Sequence, residues 1–193
     1  MKSGAGASWP FSLEEALRVR VRRSFGNRPR KALDAAQVVD PNAARSAALA
    51  MLARRDFSVA ELATRLRERG YVEAAVERTV EGLVDERLLN DARYAEHYVH
   101  AHSQRGRGPR RIRLGLAEAG VEAALVDAAL AEGPDWAALA RDTRRRRFGE
   151  EAPADWAERA TQARFLQYRG FSNDHIRNAL GGSEADLALD PDP

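Results

Sequence analysis

Three glycines set the frame of this chain of 193 residues: Gly70, Gly120 and Gly170 stand at intervals of fifty. Four residues before each is a leucine (Leu66, Leu116, Leu166). An apolar residue follows directly (Tyr71, Val121, Phe171), a second comes six after the glycine (Val76, Val126, Ile176) and a third ten after (Val80, Leu130, Leu180). Columns that recur in this way mark one supersecondary unit used several times. Glycine has no Cβ, so it can end a helix in the left-handed conformation at little steric cost. The next apolar residue then precedes the N-cap of the following helix. Its partner five residues on is that helix's fourth residue, which is the spacing of a hydrophobic staple. Each unit therefore contains a helix, a tight glycine turn and a second helix, with Ser172 as the natural N-cap in the third unit.

A further helix precedes each pair. Ala47, Ala48, Met51 and Leu52 recur at helical spacing in the first unit. Phe57-Ser58 followed by Glu61-Leu62 then reads as a capping box combined with a staple. In the second unit Asn90 or Asp91 caps a helix bearing Tyr94, Ala95, Tyr98 and Val99, and Gly106-x-Gly108-Pro109 breaks the chain with Pro109 at a first helical position. In the third, Asp135 starts a helix with Trp136, Leu139, Ala140 and Thr143, and Gly149 and Pro153 separate it from one carrying Trp156, Ala160, Ala163, Phe165 and Leu166. No stretch alternates as a strand would. The expected fold is all-α, nine helices in three tandem three-helix repeats over residues 42–89, 90–132 and 133–181. Residues 1–41 read as a basic mobile tail, with a short helix capped by Ser12 and Glu15, and residues 182–193 as an acidic tail.

Composition excludes several functions. There is no cysteine, hence no disulfide framework, thiolate zinc site, iron–sulfur cluster or thiol nucleophile. The longest purely apolar run, Ala47 to Ala53, falls far short of the ~18 residues of a membrane span, and residues 1–24 hold no apolar signal core. A cytoplasmic protein without membrane contact is expected. Neither G-x-x-x-x-G-K-[ST], G-x-G-x-x-G nor H-E-x-x-H occurs. His97, His100 and His102 share one helix but lack a completing carboxylate pattern, so they read as surface residues rather than metal ligands. No catalytic residues, metal or cofactor are expected.

Charge is more informative in place than in sum. The formal charge is +2, yet the first 41 residues carry eight Lys/Arg against four Asp/Glu, and residues 181–193 carry four acids and no base. Only Lys2 and Lys31 are lysines. Arg105, Arg107, Arg110, Arg111 and Arg113 form one cluster, and Arg144, Arg145, Arg146 and Arg147, with Arg141 nearby, form another. Each cluster is open to two readings: a solvated helix face beside matching acids, or a contact for phosphates or an acidic protein surface. Glycine turns between helices also occur in units that place a helix in the DNA major groove. Here the second helices begin with Glu73 and Glu122, which suit the helix dipole but repel phosphate.

The segment from Leu89-Asn90-Asp91-Ala92-Arg93-Tyr94-Ala95 through Glu96-His97-Tyr98-Val99, then Arg105-Gly106-Arg107-Gly108-Pro109-Arg110-Arg111-Ile112, then Leu116 with Gly120-Val121, resembles the RecX family, bacterial regulators of the RecA recombinase. Ser58, Glu61, Leu62 and Leu66 leading to Gly70, and Leu166 with Arg169-Gly170-Phe171, extend the likeness over about residues 43–180. Asn90 stands where the family often has aspartate and Tyr94 where it often has phenylalanine; both changes are mild. The basic tail lies outside the shared pattern. The resemblance implies an elongated, curved molecule that binds in the groove of the RecA–single-stranded DNA–ATP filament. It implies a monomeric, non-catalytic modulator of recombination and the SOS response that restrains filament extension, ATP hydrolysis and strand exchange, with at most weak, non-specific DNA binding of its own. The two arginine clusters are the candidate contacts. The rival is a helix-turn-helix transcriptional regulator reading duplex DNA.

Overall fold

The computed structural model describes residues 38–181; the two tails, residues 1–37 and 182–193, lie outside the described residues, and so do the expectations placed on them. Among the described residues nine helices follow one another: α1 (Pro41–Leu52), α2 (Val59–Arg67), α3 (Glu73–Asp85), α4 (Asp91–Ser103), α5 (Pro109–Glu118), α6 (Ala123–Ala131), α7 (Trp136–Phe148), α8 (Trp156–Tyr168) and α9 (Asn173–Ala179). They form three consecutive three-helix repeats, as the periodicity requires. Short polar side chains start most of them. Asp40, Ser58, Asn90, Asp135, Asp155 and Ser172 each accept a backbone N–H of the first turn. The chain joins the first repeat slightly before residue 42, because Asp40 caps α1 and the Val38 carbonyl accepts the Val72 N–H at 3.0 Å.

The three glycine turns are the same turn. Gly70, Gly120 and Gly170 have φ of 98°, 75° and 90°. In each, the glycine N–H donates to the carbonyl three residues back, and the following N–H reaches the leucine carbonyl: Tyr71 to Leu66 at 3.3 Å, Val121 to Leu116 at 3.1 Å and Phe171 to Leu166 at 3.2 Å. That paired pattern is the Schellman motif, which satisfies carbonyls a helix end would otherwise orphan. The staple pairs Tyr71–Val76, Val121–Val126 and Phe171–Ile176 are all buried. Leu66, Leu116 and Leu166 are fully enclosed, each contributing about 2 kcal/mol by leaving water.

Each repeat encloses its own core. The first gathers Ala44, Ala48, Leu62, Leu66, Val76 and Leu83; the second Ala95, Val99, Ile112, Leu116, Val126 and Leu130; the third Ala140, Ala163, Leu166, Phe171, Ile176 and Leu180. Two local details depart from the sequence reading. The capping box of α2 is only half made: Ser58 Oγ accepts the Glu61 N–H at 3.0 Å, but the Glu61 carboxylate is taken by Arg55. A reciprocal box forms instead at α9, between Ser172 and His175. Trp156, the first residue of α8, stands largely in solvent; α8 begins three residues earlier relative to its glycine than α2 and α5 do.

The repeats meet by one geometry used twice. Ser58 Oγ, at the start of α2, donates to the Ala119 carbonyl in the second repeat's glycine turn at 2.5 Å. Fifty residues on, the Gly108 N–H, at the start of α5, donates to the Arg169 carbonyl in the third repeat's turn at 2.8 Å. The Arg110 N–H adds a bond to the Gly170 carbonyl at 3.0 Å, and Asp91 Oδ1 accepts the Val59 N–H at 2.8 Å. Donors that helix geometry leaves unpaired are thus satisfied by the next repeat. Pro109, at the first position of α5, brings no N–H that would need such a partner.

A Cβ on Gly120 would lie 2.5 Å from the Ala60 Cβ, whereas one on Gly70 would meet nothing within 4 Å. Both sites carry left-handed strain, so Gly70→Ala is expected to cost about 1 kcal/mol, and Gly120→Ala about 2–4 kcal/mol once the clash is added. Urea denaturation of the full chain checks the ordering; equal losses would contradict the close approach.

Candidate functional site

The nine arginines of the two clusters meet different fates. α5 opens on Gly108-Pro109, and the preceding loop turns at Gly106, whose φ is 70°. That local chemistry puts Arg105 in the loop and Arg110 and Arg111 on the first turn of α5, all three exposed. None has a carboxylate partner among the described residues. Arg113 instead pairs with Asp127 on α6, and Arg107, half-buried, points Nη1 at His102 Nδ1, 2.8 Å away.

The second cluster divides further. Arg144 corrects the expectation that the whole run faces a partner. Its side chain turns inward and is buried, with Nε donating to Gln162 Oε1 at 2.9 Å and the two Nη atoms to the Gly149 and Glu151 carbonyls. A buried guanidinium is tolerable only with its donors filled, so this residue ties the α7–α8 loop to α8. Arg145 is drawn to Asp142 and Glu150. Arg146 and Arg147 remain exposed without a carboxylate partner among the described residues.

Arg105, Arg146 and Arg147, far apart in sequence, line one cleft of about 230 Å³ where the second and third repeats meet. Arg169, Gln104, Gly106, Thr143 and Phe165 complete its walls, and no acid does. Arg169, from the residue before the third glycine, donates Nη1 to the Arg105 carbonyl at 3.1 Å and lies 5.1 Å from the Phe165 ring centre. It bolts the two walls together with its charge still at the rim. Thr143 is 6 % exposed, and its hydroxyl has no hydrogen-bond partner. Arg110 and Arg111 continue the basic surface past the cleft, since α5 starts against the Gly170 turn. The arrangement concentrates positive charge in a concave, partly apolar setting, which suits an anionic partner.

The histidines take structural places. His97 Nδ1 lies 2.8 Å from Asp56 Oδ2 in the first repeat. His102 stacks on Tyr98 at 3.9 Å between ring centres, 11° from parallel. Tyr98 can lie there because α5 carries Gly115, where any Cβ would run into the tyrosine hydroxyl. Burial, then the charges of Arg107 and Arg105, push His102 down to about 4. Among the described residues no group of three or more His, Cys, Asp or Glu side chains is placed to hold a metal ion.

Sequence reasoning joined neither Arg105 with Arg146 and Arg147, nor Arg169 with either. The one available signal for Arg169 was its place in the repeat, directly before a turn glycine. The sequence places Thr143 only on a helix with Trp136, Leu139 and Ala140, and its unpaired hydroxyl is invisible without the fold.

Family models match in order: RecX, first three-helix domain, at residues 44–83; RecX, second three-helix domain, at 90–130; and RecX, third three-helix domain, at 135–180. The regulatory protein RecX of Pseudomonas fluorescens is 43% identical over 145 residues, covering 75% of this chain and 94% of the relative. That of Halorhodospira halophila is also 43% identical over 145 residues, covering 75% and 90%. The crystal structure of RecX from Lactobacillus salivarius superposes with a TM-score of 0.65 at 23% identity, covering 73% of this chain and 94% of that one.

His102 gives a pH test of the site's packing. Its folded value lies below the ordinary histidine value of about 6.5, so the unfolded chain binds the proton more readily. The stability it contributes is complete above pH 6.5 and is lost as pH falls towards 4. The ring's NMR shifts should stay flat from pH 8 to about 5, and His102→Gln should flatten the pH dependence of the urea midpoint over that window. A ring that titrates near its ordinary value would contradict the stacked, desolvated placement.

Proposed function

The chain belongs to the RecX family, and from that membership we propose that it is a non-catalytic regulator of homologous recombination and the SOS response, binding the RecA–single-stranded DNA filament and restraining its growth, ATP hydrolysis and strand exchange. The observation that carries the reading is the surface formed by Arg105, Arg110, Arg111, Arg146 and Arg147. It spans two repeats and has no compensating carboxylates among the described residues. Exposed arginines without partners form no ion pair that would stabilise the fold. They do attract anionic surfaces and speed encounter with them. A nucleoprotein filament offers both phosphates and acidic protein. Adjacent repeats that engage together also multiply modest affinities, because the second contact is made intramolecularly.

Arg113 and Arg145, already paired, contribute less to this surface, and Arg144 serves the fold. Arg107 stands between the groups, half-buried beside His102.

The test is RecA ATP hydrolysis on single-stranded DNA, titrated with this protein well below the amount of RecA. Suppression at such ratios is expected, and it would indicate control of filament growth, since competition for DNA alone needs far more protein. Replacing Arg105, Arg110 and Arg111 with alanine removes three rim cations worth about 0.5 kcal/mol each, so about tenfold more protein should be needed. The salt dependence should become shallower while helix content stays unchanged. No suppression even at equimolar protein would overturn the reading.

A further inference from the structure

We propose that the acidic segment 184–192 of this chain docks in cis on the arginine surface at the junction of the second and third repeats, and covers it until a stronger anionic partner displaces it. The proposal rests on the reading of that surface as a partner contact and adds a gate to it.

The first observation is complementary charge. Arg105, Arg110, Arg111, Arg146 and Arg147 are exposed and have no carboxylate partner among the described residues. Residues 181–193 carry Glu184, Asp186, Asp190 and Asp192 and neither Lys nor Arg. A series of carboxylates laid over the arginines relieves their mutual repulsion. The match is not purely ionic. Phe165 forms part of the cleft wall, and Leu187 and Leu189 stand between the acids.

The second observation is where the segment leaves the fold. Arg159, on the first turn of α8, donates Nη1 to the Leu180 carbonyl at 3.1 Å. That bond holds the end of α9 beside the start of α8. Gly181 then takes a φ of 66°, the left-handed conformation that turns a chain off its helix axis. Phe165 and Arg169 of the cleft lie further along α8. Arg169 is ten residues past Arg159, about 15 Å along the helix. A chain spans at most ~3.3–3.6 Å per residue, so Glu184 reaches about 14 Å from Leu180 and Asp190 about 33 Å. The later acids therefore reach the cleft with length to spare.

The third step is the tether. Rim ion pairs are individually weak, and a free acidic peptide would be held poorly by them. A segment joined to the fold this close presents its carboxylates at an effective concentration on the order of millimolar. The contact then excludes anions that bring a single charge. A partner that meets the whole arginine surface at once displaces it.

The test uses the full chain without RecA. The chain has no cysteine, so Ala188→Cys carries a single nitroxide. Amide NMR signals of the isotope-labelled protein then report which residues lie near it. The Arg105, Gly106, Arg146 and Arg147 amides should broaden relative to the reduced label. The broadening should vanish at about 1 M salt, where the Debye length is about 3 Å, and in a variant combining Glu184→Gln, Asp186→Asn, Asp190→Asn and Asp192→Asn. Absence of selective broadening at these amides would overturn the proposal. So would broadening seen only when spin-labelled chains are mixed with isotope-labelled ones, which would assign the acids to a second copy. The acid-to-amide variant should also suppress RecA ATP hydrolysis at about fivefold lower protein. Combined with Arg105→Ala, Arg146→Ala and Arg147→Ala, the same change should bring a smaller gain. An equal gain in both backgrounds would mean that the acids act at long range, and the gate would be refuted. ATPase suppression without broadening refutes the gate alone. Broadening without ATPase suppression by either form refutes the filament reading instead.

Discussion

The structure depends on how the second helix of one repeat begins. A helix leaves its first N–H groups without partners, and in the first two repeats the next repeat supplies an acceptor: Asp91 Oδ1 takes the Val59 N–H and the Gly170 carbonyl takes the Arg110 N–H. Ser58 reaches the Ala119 carbonyl, and Gly108 and Arg110 reach the carbonyls of Arg169 and Gly170. For backbone to meet backbone this closely, side chains must be absent on both sides. A Cβ on Gly108 would lie 2.5 Å from three backbone atoms of Gly170 and Phe171, and one on Gly170 would strike Arg111. Gly170 therefore answers two demands, the left-handed turn and the contact, and Gly120 does the same against Ala60. Gly70 answers only the first. The fifty-residue interval is then a property of the junction as much as of the repeat, because each turn must sit where the preceding helix starts.

Much of this was legible beforehand. The leucine–glycine–apolar columns reported the Schellman turns and staples because those motifs are local: a few residues of fixed type and spacing determine them. Asp135, Ser172, Asn90 and Pro109 were readable as helix starts for the same reason. What escaped were choices between equally local partners. Glu61 could close a box on Ser58 or pair with Arg55, and the latter holds. Ser58 was free to serve the second repeat only because its hydroxyl donates as well as accepts. In the run Arg144 to Arg147, composition treats four residues alike, while helix geometry spreads them around α7 and sends the first inside. The acceptors it finds there, on Gln162 and two loop carbonyls, come from residues that no periodicity connects to it.

The site was harder to read than the fold because it is assembled across a junction. Arg105 belongs to the loop before α5, Arg146 and Arg147 to α7, and Arg169 to the end of α8. Like charges gathered this way repel. At separations of several ångströms near the surface each pair opposes the fold by about 1 kcal/mol or less. Side-chain pairing does not offset that repulsion among the described residues. The compensation is backbone: the bonds from α5 to the third repeat's turn, the Arg169 guanidinium on the Arg105 carbonyl, and the enclosed cores on either side. A junction made from main-chain donors and glycines leaves its neighbouring side chains free of structural duty. Arg105, Arg146 and Arg147 can therefore remain unpaired at the rim, and the charge they hold in reserve is available to a partner that arrives with its own.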